Sequence, residues 1–410
     1  MLPSVGVVDA GENARELISS LRSSGFSVTG VWGSTQHQAQ VMAHKYDVPY
    51  ATSKIDELLL KEDVDLLVVL CPPHQRAEVA VKALSIGKHV LCEAPAGLSK
   101  DEADRMVNAA QYYPKLLSLI KHELRFVPTF VKMKRLLEEG YCGDILVIEC
   151  RLEMGSLIGS NYNWMCDQAM GGGVLAKYGS HIVDLVSFLT NQQAESVNGT
   201  LKTFISQTDN ISSFRHITSD DYCAFQMKLT GGIFVTVTLS THMSGQYSQF
   251  ISVLGTEGRL ITRNDNLHGQ KNGGKEVLLY ATTRVIPSIE KSNTPEIFLI
   301  GLEAWVREIK RAFEESLDKD DRRNADLQAI ASAASFEDGV YTRTVLDCIK
   351  QSSKTEQWVK VQSFSKINKK KPSDNTKQDR KISLNITTET KEGKEHISSP
   401  LKRSQTQKSL

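Results

Sequence analysis

Val5-Gly6-Val7-Val8 is a short, mostly apolar run near the start of the chain. Asp9-Ala10-Gly11-Glu12-Asn13 follows it, and Ala14, Leu17, Ile18 and Leu21 then recur at helical spacing. A buried strand, a tight turn and an amphipathic helix in that order open a βαβ unit, and no other stretch narrows the choice of fold as much. In such units the turn lets the backbone approach a pyrophosphate, which rests on amides at the helix N-terminus. Against the pattern G-x-G-x-x-G/A, this turn reads Asp9-x-Gly11-x-x-Ala14. Gly11 keeps the close approach and Ala14 the close helix packing, but Asp9 replaces the first glycine. Its carboxylate either lies where the phosphate would sit, with Glu12 adding a second charge, or caps the positive end of its own helix. Asp9, Ala10, Gly11, Glu12 and Asn13 are the candidate cofactor turn.

The pattern then repeats. Ser27–Trp32 reads as a second strand and Gln36–Lys45 as a helix. An acidic residue after such a strand grips the ribose hydroxyls of NAD, whereas hydroxyls or bases accommodate the 2′-phosphate of NADP. Ser34 and Thr35 stand there, so the sequence favours NADP over NAD, with plain turn residues as the alternative. Val64–Leu70, apolar but for Asp65, is a run of the kind buried parallel strands show, and it stops at Cys71-Pro72-Pro73-His74. A helix over Arg76–Ser85, a strand over His89–Cys92 ending in Glu93-Ala94-Pro95, a helix from Lys100 to about Ala110 and a strand at Leu116–Ile120 complete the alternation. It predicts a doubly wound parallel sheet.

Beyond that point the periodicity changes. Phe130–Glu139 reads as a helix, Ile145–Glu153 as a half-buried strand and Val174–Leu189, after Gly171-Gly172-Gly173, as one continuous helix. From Ser196 to Arg263 the chain reads as consecutive antiparallel strands, with Tyr222–Leu229 and Ile233–Ser240 as the clearest hairpin. Helices over Glu296–Glu314 and Ala331–Lys350 close the fold. The expected organisation is a Rossmann domain over 1–122, an α/β domain with an open, largely antiparallel sheet over 123–362, and a disordered tail over 363–410. The closing helices are free to pack back on the first domain.

Charge is unevenly spread along the 410 residues. After Gln362 there are 12 Lys/Arg against 5 Asp/Glu, so the overall +1 conceals a folded part at −6. That part has no general basic surface for nucleic acid; the tail has the charge to bind an acidic partner. Seven scattered cysteines lack metal-ligand spacing and read as free thiols of a reducing compartment. Met1 and Leu2 lead directly into the first strand and no apolar run reaches membrane-spanning length, so the expectation is a cytoplasmic protein without a membrane anchor. No metal site, phosphate-binding P-loop or Ser-His-acid set is visible.

Several of these stretches together resemble the oxidoreductase family of glucose-fructose oxidoreductase, inositol 2-dehydrogenase and the rhizopine-catabolism dehydrogenases. They are the N-terminal turn, Cys71-Pro72-Pro73, Gly87–Pro95, Arg125-Phe126-Val127-Pro128, Gly140–Gly143, Trp164 with Gly171–Asp184, Gly255–Gly258 and Ala333–Gly339. Asn161–Trp164, Tyr112–Leu116 and Ile217–Asp221 resemble the animal subgroup of glucose-fructose oxidoreductase domain-containing proteins. The resemblance implies a nicotinamide cofactor in the cleft near Pro72, Pro73 and the Glu93–Pro95 loop, a small-molecule substrate, and a homodimer through the C-terminal sheet. It also keeps an extracellular-matrix location open. His74 and Arg76 become candidate contacts, and Arg125 a ligand or a strut between domains. The family's loop lysine falls on Ala94, its helix aspartate on Lys177 and its helix histidine on His181, so one of three is kept. Two readings follow. In one, Lys177 replaces the loop lysine and its charge keeps His181 neutral as a base. In the other, the domain has lost catalysis and binds a nucleotide, a metabolite or a partner.

Overall fold

The computed structural model describes residues 2–159, 161–207, 216–242, 247–282, 293–316 and 325–362. The expected tail over 363–410 lies outside them. The first half alternates strand and helix: β1 (Ser4–Val8), α1 (Glu12–Ser23), β2 (Ser27–Trp32), α2 (Gln36–Lys45), β3 (Tyr50–Thr52), α3 (Ile55–Leu59), β4 (Leu66–Val69), α4 (Pro73–Ser85), β5 (His89–Glu93), α5 (Lys100–Tyr112) and β6 (Ser118–Lys121). The six strands are parallel, in the order β6-β5-β4-β1-β2-β3. Crossover helices cover both faces, which is why β1, β4 and β5 are buried throughout and are mostly apolar. The last strand is shifted from the expected Leu116–Ile120. Its pairing with β5 matches Val90 to Ser118 and Glu93 to Lys121, and so sets a carboxylate and an ammonium side by side at the strand ends.

The second half begins with a 3-10 turn (Glu123–Phe126), α6 (Pro128–Glu138) and β7 (Ile145–Glu153). The expected single helix over Val174–Leu189 is divided. Leu175–Gly179 is π-helical, and the α-helix proper, α7, runs Ser180–Thr190. Helical periodicity in the sequence does not distinguish the two, because one inserted residue leaves an apolar face on both sides. Next come β8 (Ala194–Lys202), β9 (Tyr222–Leu229), β10 (Phe234–Ser240), β11 (Ser248–Gly255), β12 (Gly258–Arg263), β13 (Asn266–Lys271) and β14 (Val277–Tyr280). They form an open sheet with β7 inserted between β10 and β11; the β7–β10 pair is parallel and the other pairs are antiparallel. One face alternates inward onto the core of α6 and α7, through residues such as Ile148, Cys150, Leu152, Val235 and Val237.

Two helices return to the parallel sheet. α8 (Glu296–Glu314) buries Leu302, Trp305, Val306 and Ile309 in the core that also holds Leu17 and Ile18 of α1. After the two-residue β15 (Ala334–Ser335), which pairs antiparallel with β6, α9 runs Phe336–Thr355, and β16 (Val359–Lys360) then pairs with β8 at the edge of the second sheet. The helix starts five residues later than expected because Ser335 and Asp338 form a capping box: Ser335 Oγ accepts from the Asp338 amide at 3.2 Å and Asp338 Oδ2 accepts from the Ser335 amide at 2.9 Å. Phe336 and Val340 of α9 pack under the parallel sheet, while Val345, Leu346 and Ile349 pack under the open one.

Arg125 ties these parts together. Its Nε and Nη2 donate to both oxygens of Asp184 on α7, at 2.8 and 2.6 Å, Nη2 lies 3.3 Å from Asp338 on α9, and Nη1 donates to the Ser332 carbonyl. The residue is therefore a strut. Arg125→Met should destabilise the protein by about 3–5 kcal/mol by leaving the Asp184 carboxylate buried without its partner. Urea denaturation measures this, and the double variant Arg125→Met/Asp184→Leu should recover most of the loss. A single variant as stable as the parent would remove the strut role.

Candidate functional site

The turn between β1 and α1 makes Gly11, which has no side chain to cap with, and not Asp9, the N-cap of α1. The helix-cap reading of Asp9 is therefore corrected. Its carboxylate lies against Gly11, 2.9 Å from where a Cβ would be, and draws on the Ala10 and Gly11 amides inside the turn itself. Burial pushes its pKa up to about 6; the two amides and Arg76 oppose the shift and Glu93 adds to it. The side chain of Glu12 lies outside what the structure describes.

Next to this turn, Ala10, Gly11, Arg15, His37, Gln38, Val41, Met42 and Lys45 line a pocket of about 580 Å³, with no carboxylate among them. Ser34 and Thr35 do not line it. Thr35 caps α2 by accepting from the Gln38 amide at 3.2 Å, and Ser34 donates to the Gln38 side chain at 2.6 Å. The N-terminus of α1 and this cation-flanked pocket fit a dinucleotide; the Asp9 carboxylate opposes its phosphates.

The other loop candidates are built into the frame. Pro72 and Pro73 begin α4, and Pro73 packs against Gly171, whose φ of +89° and crowded surroundings leave no room for a side chain. Arg76 is buried and donates to the carbonyls of Cys71 at 2.8 Å and Pro95 at 3.0 Å, so it joins two loops rather than contacting a ligand. His74 is exposed and lines none of the pockets described here. Ala94-Pro95 is a cis peptide bond, and Ala94 is buried.

The charged centre lies at the C-terminal ends of β5 and β6, where open α/β sheets bind ligands. Lys121 donates to Glu123 Oε1 at 2.7 Å and lies 3.3 Å from Glu93 Oε2. Glu123 Oε2 has no hydrogen-bond partner and faces His181 Nδ1 at 3.6 Å. His181 also meets the rings of His122 and Phe298 edge to face, at 5.1 and 5.2 Å. Behind them Asp184 is spent on Arg125, and His122 Nε2 is 3.9 Å away from it. Lys121, Glu123, Lys177 and His181 line a small cavity of about 30 Å³ with Asn13 of the cofactor turn. That is room for about one or two waters and too small for a substrate. Lys177, Tyr178 and Asn13 also line an open pocket of about 980 Å³ whose walls include Asn163, Trp164 and Tyr247. Lys177 thus stands where the two spaces meet.

Environment separates these groups. Burial lowers the Lys177 pKa, as do the Lys121 and Arg76 charges, against the pull of Glu93 and Glu123. Lys121 goes the other way: burial opposes its charge, but Glu123 and Glu93 together raise its pKa. His181 is pushed down to about 3, by burial first, then by Lys121, with Lys177 a lesser cause. The expected repulsion by Lys177 is among the causes, behind burial and Lys121. Burial pushes both carboxylates up. Lys121, Lys177 and Arg76 overcome this for Glu93, whose pKa falls, whereas Glu123, repelled by Glu93, stays raised. The sequence reading missed Lys121 and Glu123, as well as His37 and Lys45. The signal for the first two was Lys121-His122-Glu123, three chargeable residues directly after the apolar end of a strand. Among the described residues no His, Cys, Asp and Glu group is placed to hold a metal ion, no helix is long and apolar enough to cross a membrane, and the cysteines are unpaired.

Residues 4–120 match the oxidoreductase family with an NAD-binding Rossmann fold, and residues 130–261 match the GFO/IDH/MocA C-terminal domain. The chain is 45% identical to glucose-fructose oxidoreductase domain-containing protein 1 of Mus musculus, over 88% of this chain and 93% of that protein. It is 42% identical to glucose-fructose oxidoreductase domain-containing protein 2 of Homo sapiens, over 88% and 94%. Among solved structures, levoglucosan dehydrogenase in complex with NADH and levoglucosan shares the fold at a TM-score of 0.73 and 19% identity, covering 88% of this chain and 100% of that one. Aldose-aldose oxidoreductase from Caulobacter crescentus complexed with glycerol does so at 0.68 and 18%, also over 88% and 100%.

The Asp9 pKa of about 6 gives a test of the turn. Above that pH the carboxylate is ionised and repels the phosphates of NAD; below it the group is neutral. Affinity for NAD, measured by calorimetry, should therefore rise as pH falls from about 7.5 to 5.5, by up to about tenfold if the repulsion amounts to one pKa unit. Asp9→Gly should bind more tightly at the higher pH and lose the pH dependence. An unchanged affinity in that variant would sink this account of Asp9.

Proposed function

Because this chain belongs to the GFO/IDH/MocA family of oxidoreductases with an NAD-binding Rossmann fold, we propose that it is an NAD(P)-dependent oxidoreductase. Its substrate is a sugar-like or polyol-like alcohol or the corresponding carbonyl compound. The observation that carries this reading is Lys177, partly buried beside His181 at the join of the two spaces, with no side-chain hydrogen-bond or ion-pair partner among the described residues. A bound nicotinamide supplies the hydride acceptor. Removing the alcohol proton needs an unprotonated base, and burial, which lowers the Lys177 pKa, moves the amine in that direction. His181, with a pKa of about 3, accepts a full proton poorly but is held neutral to hydrogen-bond the substrate oxygen. Lys121 stays cationic and stabilises negative charge developing on that oxygen. Trp164 and Tyr247 offer faces, and Asn163 and Asn264 amides, to a polyhydroxylated ligand in the open pocket. His37 and Lys45 support acceptance of a 2′-phosphate, and with it NADP.

A second reading, a non-catalytic dinucleotide- or metabolite-binding regulator, is favoured by the carboxylate of Asp9 inside the turn and by Ala94 in the loop. Under either reading a homodimer forms through the outer face of the open sheet, and the free cysteines fit a cytoplasmic setting.

Native mass spectrometry with NADPH, NADP, NADH and NAD, followed by a screen of sugars and polyols, separates the two. Micromolar binding with turnover supports the enzyme; failure of all four to bind at millimolar concentration overturns it. In an active protein Lys177→Met should lower kcat by about 10²–10⁴-fold, with the affinity for dinucleotide unchanged. kcat/KM should rise with pH through a value below the ordinary lysine range. His181→Asn should cost at least about tenfold; unaltered turnover in either variant would remove that residue from the chemistry.

A further inference from the structure

Lys177 sits on the π-helical segment Leu175–Gly179, a distortion often found where a side chain serves a site. Lys121 beside it has two carboxylate partners, and the other buried cations of the cluster, Arg76 and Arg125, are bonded to carbonyls or to Asp184. Among the described residues Lys177 has neither kind of partner. A fixed cation close by and partial removal from water are the two conditions that make a lysine amine nucleophilic. Glu93, Lys121, Glu123, Arg76 and His181 are the chargeable groups around it.

We propose that the Lys177 amine captures a carbonyl-bearing ligand as an imine, so that the open pocket takes an aldehyde or an open-chain aldose. This rests on the reading of that pocket as the substrate site; the aldehyde is a ligand that competes there with the alcohol substrate, since Lys177 held as an imine cannot also take the alcohol proton. The lone pair of Nζ forms the C–N bond, the carbonyl π pair moves to oxygen, and one N–H proton passes to that oxygen to give a carbinolamine. The hydroxyl then leaves with the second N–H proton, releasing one water and leaving the C=N bond. No oxidant or reductant is consumed. Glu123, with Oε2 unpartnered and the neighbouring His181 ring 3.6 Å away, is placed to carry these protons. The small cavity of about 30 Å³ has room for the water that is released.

The test uses the full chain, glyceraldehyde as the probe, and sodium cyanoborohydride, which reduces an imine to a stable secondary amine. Adducts are mapped by peptide mass spectrometry. Near pH 7, Lys177 should be labelled at least about tenfold faster than the exposed Lys115 and Lys275. In Lys177→Arg that adduct should vanish while the others remain. Labelling of Lys177 no faster than of Lys115 and Lys275, in protein with a native circular-dichroism spectrum, overturns the proposal. A parallel titration with the four dinucleotides separates the two readings. Binding without selective labelling removes only the imine, selective labelling without binding removes only the oxidoreductase, and neither removes both.

Discussion

The pair between Arg125 and Asp184 is the contact on which the arrangement of the site depends. Arg125 follows β6 by four residues, and Asp184 lies three residues beyond His181 on α7. A bidentate bond between the two fixes the rotation and height of α7 relative to the strand that carries Lys121. The second carboxylate, Asp338, brings in the start of α9, so one guanidinium locates three elements of different origin. Desolvating such a group is expensive, and the bonds to Asp184, Asp338 and the Ser332 carbonyl offset that cost only while all of them are in place. The cluster on the other side of α7 inherits this rigidity.

The fold was legible because its signals are local. Parallel strands covered on both faces leave unbroken runs such as Leu66–Leu70, and turns that stop at Cys71-Pro72-Pro73 leave prolines. The open sheet declared itself by alternation in Ile145–Glu153 and Tyr222–Leu229, which keep one face on the core. What was illegible depends on register. A shift of the last parallel strand towards Lys121 is small in sequence, yet it decides whether that ammonium points at Glu93 or elsewhere. The π-helical segment is equally silent, since Leu175, Tyr178 and Ile182 satisfy a helical pattern whether or not a residue is inserted.

The candidate site was half legible for the same reason. Lys177 and His181 could be found from their spacing on one helix and from the family resemblance. Arg76 and Arg125 invited a ligand role, because an arginine near a cleft is an obvious anion hand. The structure assigns their donors to carbonyls and carboxylates of the protein itself, which no spacing rule reveals. Ser34 and Thr35 were similarly over-read. Hydroxyls beside a helix start are most cheaply satisfied by that helix, and Gln38 takes up both.

Two lysines with opposite electrostatic fates bear on whether the site has been rewired or has decayed. Drift away from function removes the reason to keep a cation out of water, and a partly buried ammonium without a partner is a persistent cost that many substitutions would relieve. Methionine or leucine would fill the place of Lys177 beside Leu175 and Tyr178 without that cost. The chain nevertheless holds this lysine at the mouth of a cavity, with a second, fully paired lysine behind it. The pair separates one amine able to lose its proton from one cation that keeps it, and that division is what acid–base or carbonyl chemistry requires of a site near neutral pH. With the family's loop lysine falling on Ala94 by resemblance, the proposed oxidoreductase reading rests that charge on Lys177 and Lys121, which other elements bring to the same cleft.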